Sequence, residues 1–244
     1  MKKNVINWYK YAAPANFYPF AGKMIPWFTI AAALLFVVGL YVSFFVAPSD
    51  FQQGNSYRII FIHVPAAWMG MFLYMLLALY AGIGWAFNAR LASMMATAIA
   101  PTGAIFTFIS LVTGSLWGRP AWGVWWVWDA RLTSTLILMF LYIGFISLQS
   151  SIEDPRRADR AGAVLALVGV INVPIIYFSV QWWNSLHQGA TITAKSFKMA
   201  PSMLAAMLIL LAACWIYSIA VVLVRLRCII REREREAPWL AVEL

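Results

Sequence analysis

IIFIHVPAAWMGMFLYMLLALYAGIGWAFNA, residues 59–89, lies between Arg58 and Arg90 and contains no Asp, Glu, Lys or Arg. A helix that crosses a bilayer needs roughly 20 mostly apolar residues, because about 30 Å of hydrocarbon is climbed at 1.5 Å per residue. The stretch takes one such helix, and it is too short for two with a turn between them. Five further windows have the same character: 24–49, 91–118, 132–152, 161–194 and 199–224. Each is a continuous run of Leu, Ala, Phe, Met and Val rather than the strict alternation of a membrane β-barrel. The sequence therefore predicts an all-α polytopic membrane protein, 1–244 as a single membrane domain, with six transmembrane helices at about 25–46, 62–86, 93–115, 132–151, 161–182 and 202–224.

Composition excludes the other classes. The 244 residues are 63% hydrophobic and 11% charged, with a mean hydropathy of +0.77. A soluble domain carries about 25% charged residues, so this chain has too few to cover a water-facing surface. The same numbers exclude a disordered chain and a secreted disulfide scaffold. The first apolar run is too long for a cleavable signal core and no small-residue cleavage site follows, so the first helix is expected to remain as an anchor. Cys214 falls in the last span and Cys228 just beyond it. They are not spaced as a haem-attachment or redox pair and read as packing residues.

Six spans put both termini on one side, and Lys and Arg decide which. The termini and the second and fourth loops carry Lys2, Lys3, Lys10, Lys23, Arg90, Arg156, Arg157, Arg160, Arg225, Arg227, Arg231, Arg233 and Arg235, 13 in all. The other side carries Arg58, Arg119, Arg131, Lys195 and Lys198, which is 5. Both termini are thus expected in the cytoplasm. The net charge of +9 serves orientation and contact with the lipid bilayer, and no nucleic-acid partner is expected. Within the basic cytoplasmic tail 225–244, the segment 232–244, which alternates acid and base and then turns apolar, is expected to extend the last helix into the cytoplasm as a solvated charged helix.

That topology gathers the rare residues on the non-cytoplasmic side. The only two histidines are His63, at the expected outer start of the second span, and His187, in the loop after the fifth. Pro65 suits a helix start that holds His63 at the rim, and Asn172 beside Pro174 is placed to satisfy backbone freed by the proline. A lone histidine at a helix end is as a rule a structural hydrogen-bonding residue. Two at the same depth, with no acidic cluster nearby, do not complete a four-ligand zinc site. They suit the two axial positions of a haem.

Between spans three and four lies the Trp-rich loop 117–131. Trp117, Trp122, Trp125, Trp126 and Trp128 fall within twelve residues. Helical spacing over 122–129 would set Trp122, Trp125, Trp126 and Asp129 on one face. The uncharged part is too short to span and should lie in the interface. An ordinary aromatic belt scatters its Trp over many helix ends. A concentrated shelf suits a large flat apolar ring, with Arg119 and Arg131 as candidates to pair with carboxylates on it. Asp129 either orients Arg131 or caps the fourth helix.

WGVWWVWDARLT, 122–133, resembles the tryptophan-rich WWD signature of the haem-handling proteins of cytochrome c biogenesis. Together with WG at 117–118, DFQQGNSYRIIFIHVPAAW at 50–68 and WWNSLHQG at 182–189, it resembles the CcmC family in particular. The resemblance implies a protein of the bacterial inner membrane, not an enzyme, that transiently holds haem b at the periplasmic face. It implies His63 and His187 as axial ligands of the haem iron, against a loop matched by Trp117, Trp122, Trp125, Trp126, Trp128 and Asp129. Arg58 joins Arg119 and Arg131 as a weaker candidate for the propionates. The implied partners are a CcmE-like haem chaperone, a CcmA/CcmB-like ABC transporter and a CcmD-like small membrane protein. The alternative from the same two histidines is a bis-His b-type cytochrome carrying electrons from quinol. A transporter subunit is disfavoured, because the spans contain almost no polar or ionisable residues at mid-depth, where a translocation path would need them.

Overall fold

Each charge-free window carries a helix in the computed structural model, which describes residues 8–183, 185, 187 and 199–240. Helix α1 is Pro14–Tyr41, prolonged by a wider π-helical turn, Val42–Val46. A 3-10 turn, Ser56–Ile59, leads into α2, Ile60–Phe87. Then come α3, Arg90–Trp122, and α4, Ala130–Ser151. The fifth span is made of two pieces, α5, Pro155–Gly169, and α6, Asn172–Trp182. Helix α7 is Pro201–Arg233. Six segments are long and apolar enough to cross a membrane, and among the described residues no strand forms.

The helix ends follow local chemistry. Asp154 and Asp129 each accept a bond from the backbone N–H three residues on, at 2.8 Å, and so start α5 and α4. Asn88, at φ 51°, closes α2, and the link to α3 is only Asn88 and Ala89, so the two helices are forced antiparallel. Pro174 explains the break in the fifth span. Its ring would clash with the carbonyl of residue 170 and it has no N–H to give. Helix α5 therefore stops at Gly169, and Pro174 sits in the first turn of α6, where no bond is lost.

Four expectations need correction. Helix α2 and its 3-10 lead begin well before Pro65, so the proline is inside the helix and His63 is a turn in from its start. Asn172 does not serve the backbone of its own helix; its amide donates to the Ser134 carbonyl of α4 at 2.8 Å. Helix α7 takes in the tail only as far as Arg233, and the described part of 232–244 beyond it is not a helical continuation of α7. The helix stops at Arg233, since Pro238 would collide with the carbonyl of Glu234 if it continued. The chain then turns back, buries Leu240 and sets Trp239 6.0 Å from Tyr18 of α1. Finally, Cys214 is buried but Cys228 is exposed, so it is not a buried packing residue.

The most extensive helix contacts are α2 with α3 and α1 with α7. Lipid is as apolar as Leu, so membrane helices associate through close fit of small residues. At Gly70 a Cβ would stand 2.7 Å from the Thr107 hydroxyl and 3.4 Å from its Cα, so α2 and α3 touch nearly backbone to backbone. Gly103 opens a notch for the fully buried Tyr142 ring of α4, whose hydroxyl donates to the Gly70 carbonyl at 2.8 Å. One tyrosine thereby pins three helices. Away from this core, α1 presents Trp27, Leu34, Val37 and Phe45 outward, as a lipid-facing helix should. The end opposite the histidines is closed by Arg233, bidentate on Asp159 at 2.8 and 3.0 Å, and by Arg90 on the buried Glu234 at 2.8 Å.

A Gly103→Ala substitution puts a methyl group inside the Tyr142 ring, and overpacking of this kind costs about 1–3 kcal/mol. Tyr142→Phe keeps the ring and loses one buried hydrogen bond, about 1 kcal/mol. Thermal unfolding of the purified protein should therefore show Gly103→Ala lowering the apparent Tm by more than Tyr142→Phe. A Gly103→Ala protein as stable as the parent would refute the notch.

Candidate functional site

His63 is held by the turn of α3 that faces it. Its Nδ1 lies 3.1 Å from the Ser110 carbonyl and 3.1 Å from the Thr113 hydroxyl. The Thr113 hydroxyl spends its proton on the Ile109 carbonyl at 2.6 Å, so both neighbours of Nδ1 are acceptors. Nδ1 therefore carries the imidazole proton and Nε2 keeps its lone pair. This is the arrangement in which a second partner fixes the tautomer and aim of a ligating histidine. Gly114 makes room for the ring: a Cβ there would be 3.0 Å from His63 Cε1.

His187 is brought to the same place from the far side of the chain. The two imidazole centroids are 6.4 Å apart, with planes inclined by 35°. Asp129 positions the segment with its two oxygens. Oδ1 accepts from Leu132 N at 2.8 Å and caps α4, while Oδ2 accepts the hydroxyl proton of Ser185. The Ser185 oxygen in turn accepts from the backbone N–H of His187 at 3.1 Å. The capping role anticipated for Asp129 is present, and the tether to His187 is added to it.

The tryptophans divide into two groups. Residues 122–129 do not form a helix, so Trp122, Trp125, Trp126 and Asp129 do not share the expected face. Helix α3 instead runs on through Trp117 to Trp122, and Gly123, at φ +80°, ends it in a conformation that L side chains avoid. The following residues are irregular up to the Asp129 cap. Trp117 stands edge-on to His63 with centroids 5.9 Å apart, and Trp122 lies 6.2 Å from His187. Trp126 and Trp128 meet edge to face at 5.5 Å, and Trp125 and Trp128 are 54% and 76% exposed. The indole N–H of Trp126 is buried without a hydrogen-bond partner among the described residues.

The three arginines differ. Arg58 is committed to the backbone at the end of α1: it donates to the carbonyls of Ser43 and, at 2.9 Å, Ala47. Exposed Arg119 folds back onto the Gly123 carbonyl at the end of its own helix. Arg131, half-buried in the first turn of α4, has no hydrogen bond from its guanidinium among the described residues.

Several contributors were not singled out from the sequence. Ser110, Thr113 and Gly114 look like ordinary span residues, and only their spacing at one helical turn along α3 hints at a shared face. Gln53 accepts from the Trp117 indole N–H at 2.7 Å. It is presented by a tight turn in which Asp50 Oδ1 accepts from the N–H groups of Gln52 and Gln53 at 2.9 and 2.8 Å. Ser185 had no local signal at all.

Chemically, the site offers two imidazoles on facing elements. A metal bonded at about 2 Å to one nitrogen of each ring places the ring centroids roughly 6 Å apart, close to the spacing seen. Among the described residues there is no group of three or more His, Cys, Asp or Glu that could hold a metal ion. A metal held here must bring its remaining ligands with it.

Comparison with known proteins shows what the whole chain is similar to. The family profile described as CcmC, heme exporter protein C, matches residues 7–241. The chain is 46% identical over 230 residues to heme exporter protein C of Escherichia coli strain K12, covering 94% of this chain and 93% of that protein. It is similar to the protein of the same name from Bradyrhizobium diazoefficiens, 50% over 181 residues, 74% of this chain and 68% of the relative. The Haemophilus influenzae protein of that name is 42% identical over 234 residues, 94% of each chain.

The double duty of Asp129 can be separated. Asp129→Ala removes cap and tether together, the cap alone being worth about 1 kcal/mol. Ser185→Ala removes only the tether, again about 1 kcal/mol. Hydrogen exchange should speed up at the His187 amide in both variants. At the Leu132 amide it should speed up roughly fivefold in Asp129→Ala alone, since 1 kcal/mol is a factor of about five. Equal protection of Leu132 in both variants would contradict the assignment.

Proposed function

The chain belongs to the CcmC, heme exporter protein C, family, and on that premise we propose that it holds haem between His63 and His187 and delivers it to a CcmE-like haem chaperone during c-type cytochrome biogenesis. The observation that carries this reading is the facing imidazole pair, 6.4 Å apart, with His63 Nδ1 already occupied by Ser110 and Thr113 so that Nε2 is left to bind iron. Haem brings four ring nitrogens of its own, which answers the lack of a third protein donor among the described residues.

In this reading haem b is the cargo, held transiently at the periplasmic end of an inner-membrane protein whose termini face the cytoplasm. The positive-inside bias supports that orientation. Trp117 and Trp122 flank the two ligands, and each ring contact adds on the order of 0.5–1.5 kcal/mol beyond burial. Trp125 and Trp128, exposed at the edge, extend the apolar seat toward the bilayer or a docked partner. Arg131 is the arginine best placed to take a propionate, because Arg58 and Arg119 are engaged with backbone carbonyls. The covalent chemistry belongs to haem and chaperone, so this chain acts as holder and aligner rather than enzyme. CcmA/CcmB-like and CcmD-like subunits are its expected companions.

The test is transfer. Full-length protein loaded with haem is mixed with the soluble domain of a haem chaperone, and haem bound to the acceptor is measured. The parent should load the acceptor, and His63→Ala and His187→Ala should each reduce loading at least tenfold. Rapid reduction of the bound haem by a quinol with no transfer would overturn this reading in favour of an electron-carrying b-type cytochrome.

A further inference from the structure

A second feature lies away from the histidine pair. Helices α1, α2, α3 and α7 enclose an apolar cleft of about 300 Å³, walled by Phe36, Pro65, Ile105 and Leu210 among others. Its far end, measured along α7 from the histidine end, is Arg225, fifteen residues after Leu210. The Arg225 guanidinium donates to the hydroxyl of the buried Thr102 on α3.

That hydroxyl cannot neutralise a cation. A guanidinium has five N–H donors, and among the described residues Arg225 makes no ion pair. Two other cations at this end of the bundle are ion-paired, Arg233 with Asp159 and Arg90 with Glu234, and Arg227 lies over the Tyr18 ring instead of facing the cleft. An ionisable side chain facing an apolar recess in a membrane protein marks a functional site with an anionic partner. The partner must also fill the apolar length of the cleft. The volume is at the lower edge of the roughly 300–1,000 Å³ that small-molecule pockets span, a space for one chain rather than a broad fused ring. Arg225 lies just past the charge-free window that ends at residue 224, at the boundary of hydrocarbon and headgroups, where a phospholipid carries its phosphate.

We propose that this cleft binds an anionic phospholipid from the bilayer, with the phosphate on Arg225 and one acyl chain lying along α7 toward Leu210 and Pro65. The lipid completes the wall between α1 and the α2–α3 pair. It also supplies the negative charge that the described chain does not.

The experiment uses the full chain in phosphatidylcholine vesicles containing a trace of phosphatidylglycerol with a photoactivatable group midway along one acyl chain. Labelled residues are mapped by mass spectrometry, with the matching phosphatidylcholine probe as control. Labelling within the cleft, on residues 61–66, 102–109 and 210–217, should be at least fivefold greater for the anionic probe. Arg225→Gln should abolish that preference, while Arg225→Lys keeps most of it. Excess unlabelled phosphatidylglycerol should suppress cleft labelling in the unmodified protein, a measurement that needs no variant. Equal labelling by both probes, labelling spread over the outward face of α1, or a preference that survives both Arg225→Gln and competition would overturn the proposal.

Discussion

Helices α2 and α3 lie almost backbone to backbone because Gly70 faces Thr107 with no room for a side chain between them, and the histidine end inherits its geometry from that approach. With the helices this close, the last third of α3 forms a wall within hydrogen-bonding reach of the first turns of α2. Ser110 and Thr113 then reach His63 Nδ1, Gly114 leaves space for the ring, and Trp117 stands against it. The same approach creates the notch into which Tyr142 of α4 inserts, bonding to the Gly70 carbonyl. Helix α4 is thereby fixed, and with it Asp129 at its head. From Asp129 the line of contacts runs through Ser185 to His187. Among the described residues, a continuous series of packing contacts and hydrogen bonds thus runs from His63 to the Ser185 tether of His187.

The bundle keeps different physics at its two ends. At the histidine end, aromatic rings, helix caps and short turns do the organising, and the charged side chains mostly serve backbone carbonyls. At the opposite end, ion pairs between α7, α5 and α3 close the structure. The separation follows from the solvent: charges are tolerated only near water and headgroups, while flat apolar surface is tolerated at the interface. Arg225 is the exception, a cation turned into an apolar recess, which is why it carries an inference of its own.

The sequence was most informative where charge reports on depth. All six spans could be located from the windows between Lys23 and Arg225, because a charged residue marks the limit of hydrocarbon. Helix ends were less legible, since the hydrogen-bond ladder continues past that limit: α1 starts at Pro14, ahead of Lys23, and α7 reaches Arg233. The Trp segment was misjudged for a related reason. Spacing of three and four residues suggested a helix over 122–129, but Gly123 terminates α3 and no periodicity competes with a residue at φ +80°. The candidate site was half visible. His63, His187, Trp117, Trp122 and the Asp129 cap could be named from composition and motif. Gln53 on Trp117, Ser110 and Thr113 on His63, and Ser185 on Asp129 join residues 47 to 64 positions apart, and no local pattern encodes contacts of that range. Arg58 shows the converse, a residue that looked available for an anion and is bound to the end of α1.

The central claim is that one iron is shared by His63 and His187. Low-temperature electron paramagnetic resonance of the haem-loaded ferric protein tests it most directly. The account predicts a low-spin spectrum of two imidazole ligands in the parent, conversion to high-spin in His63→Ala and in His187→Ala, and return to low-spin in each when free imidazole is added. A low-spin spectrum identical to the parent's in both single variants would contradict it.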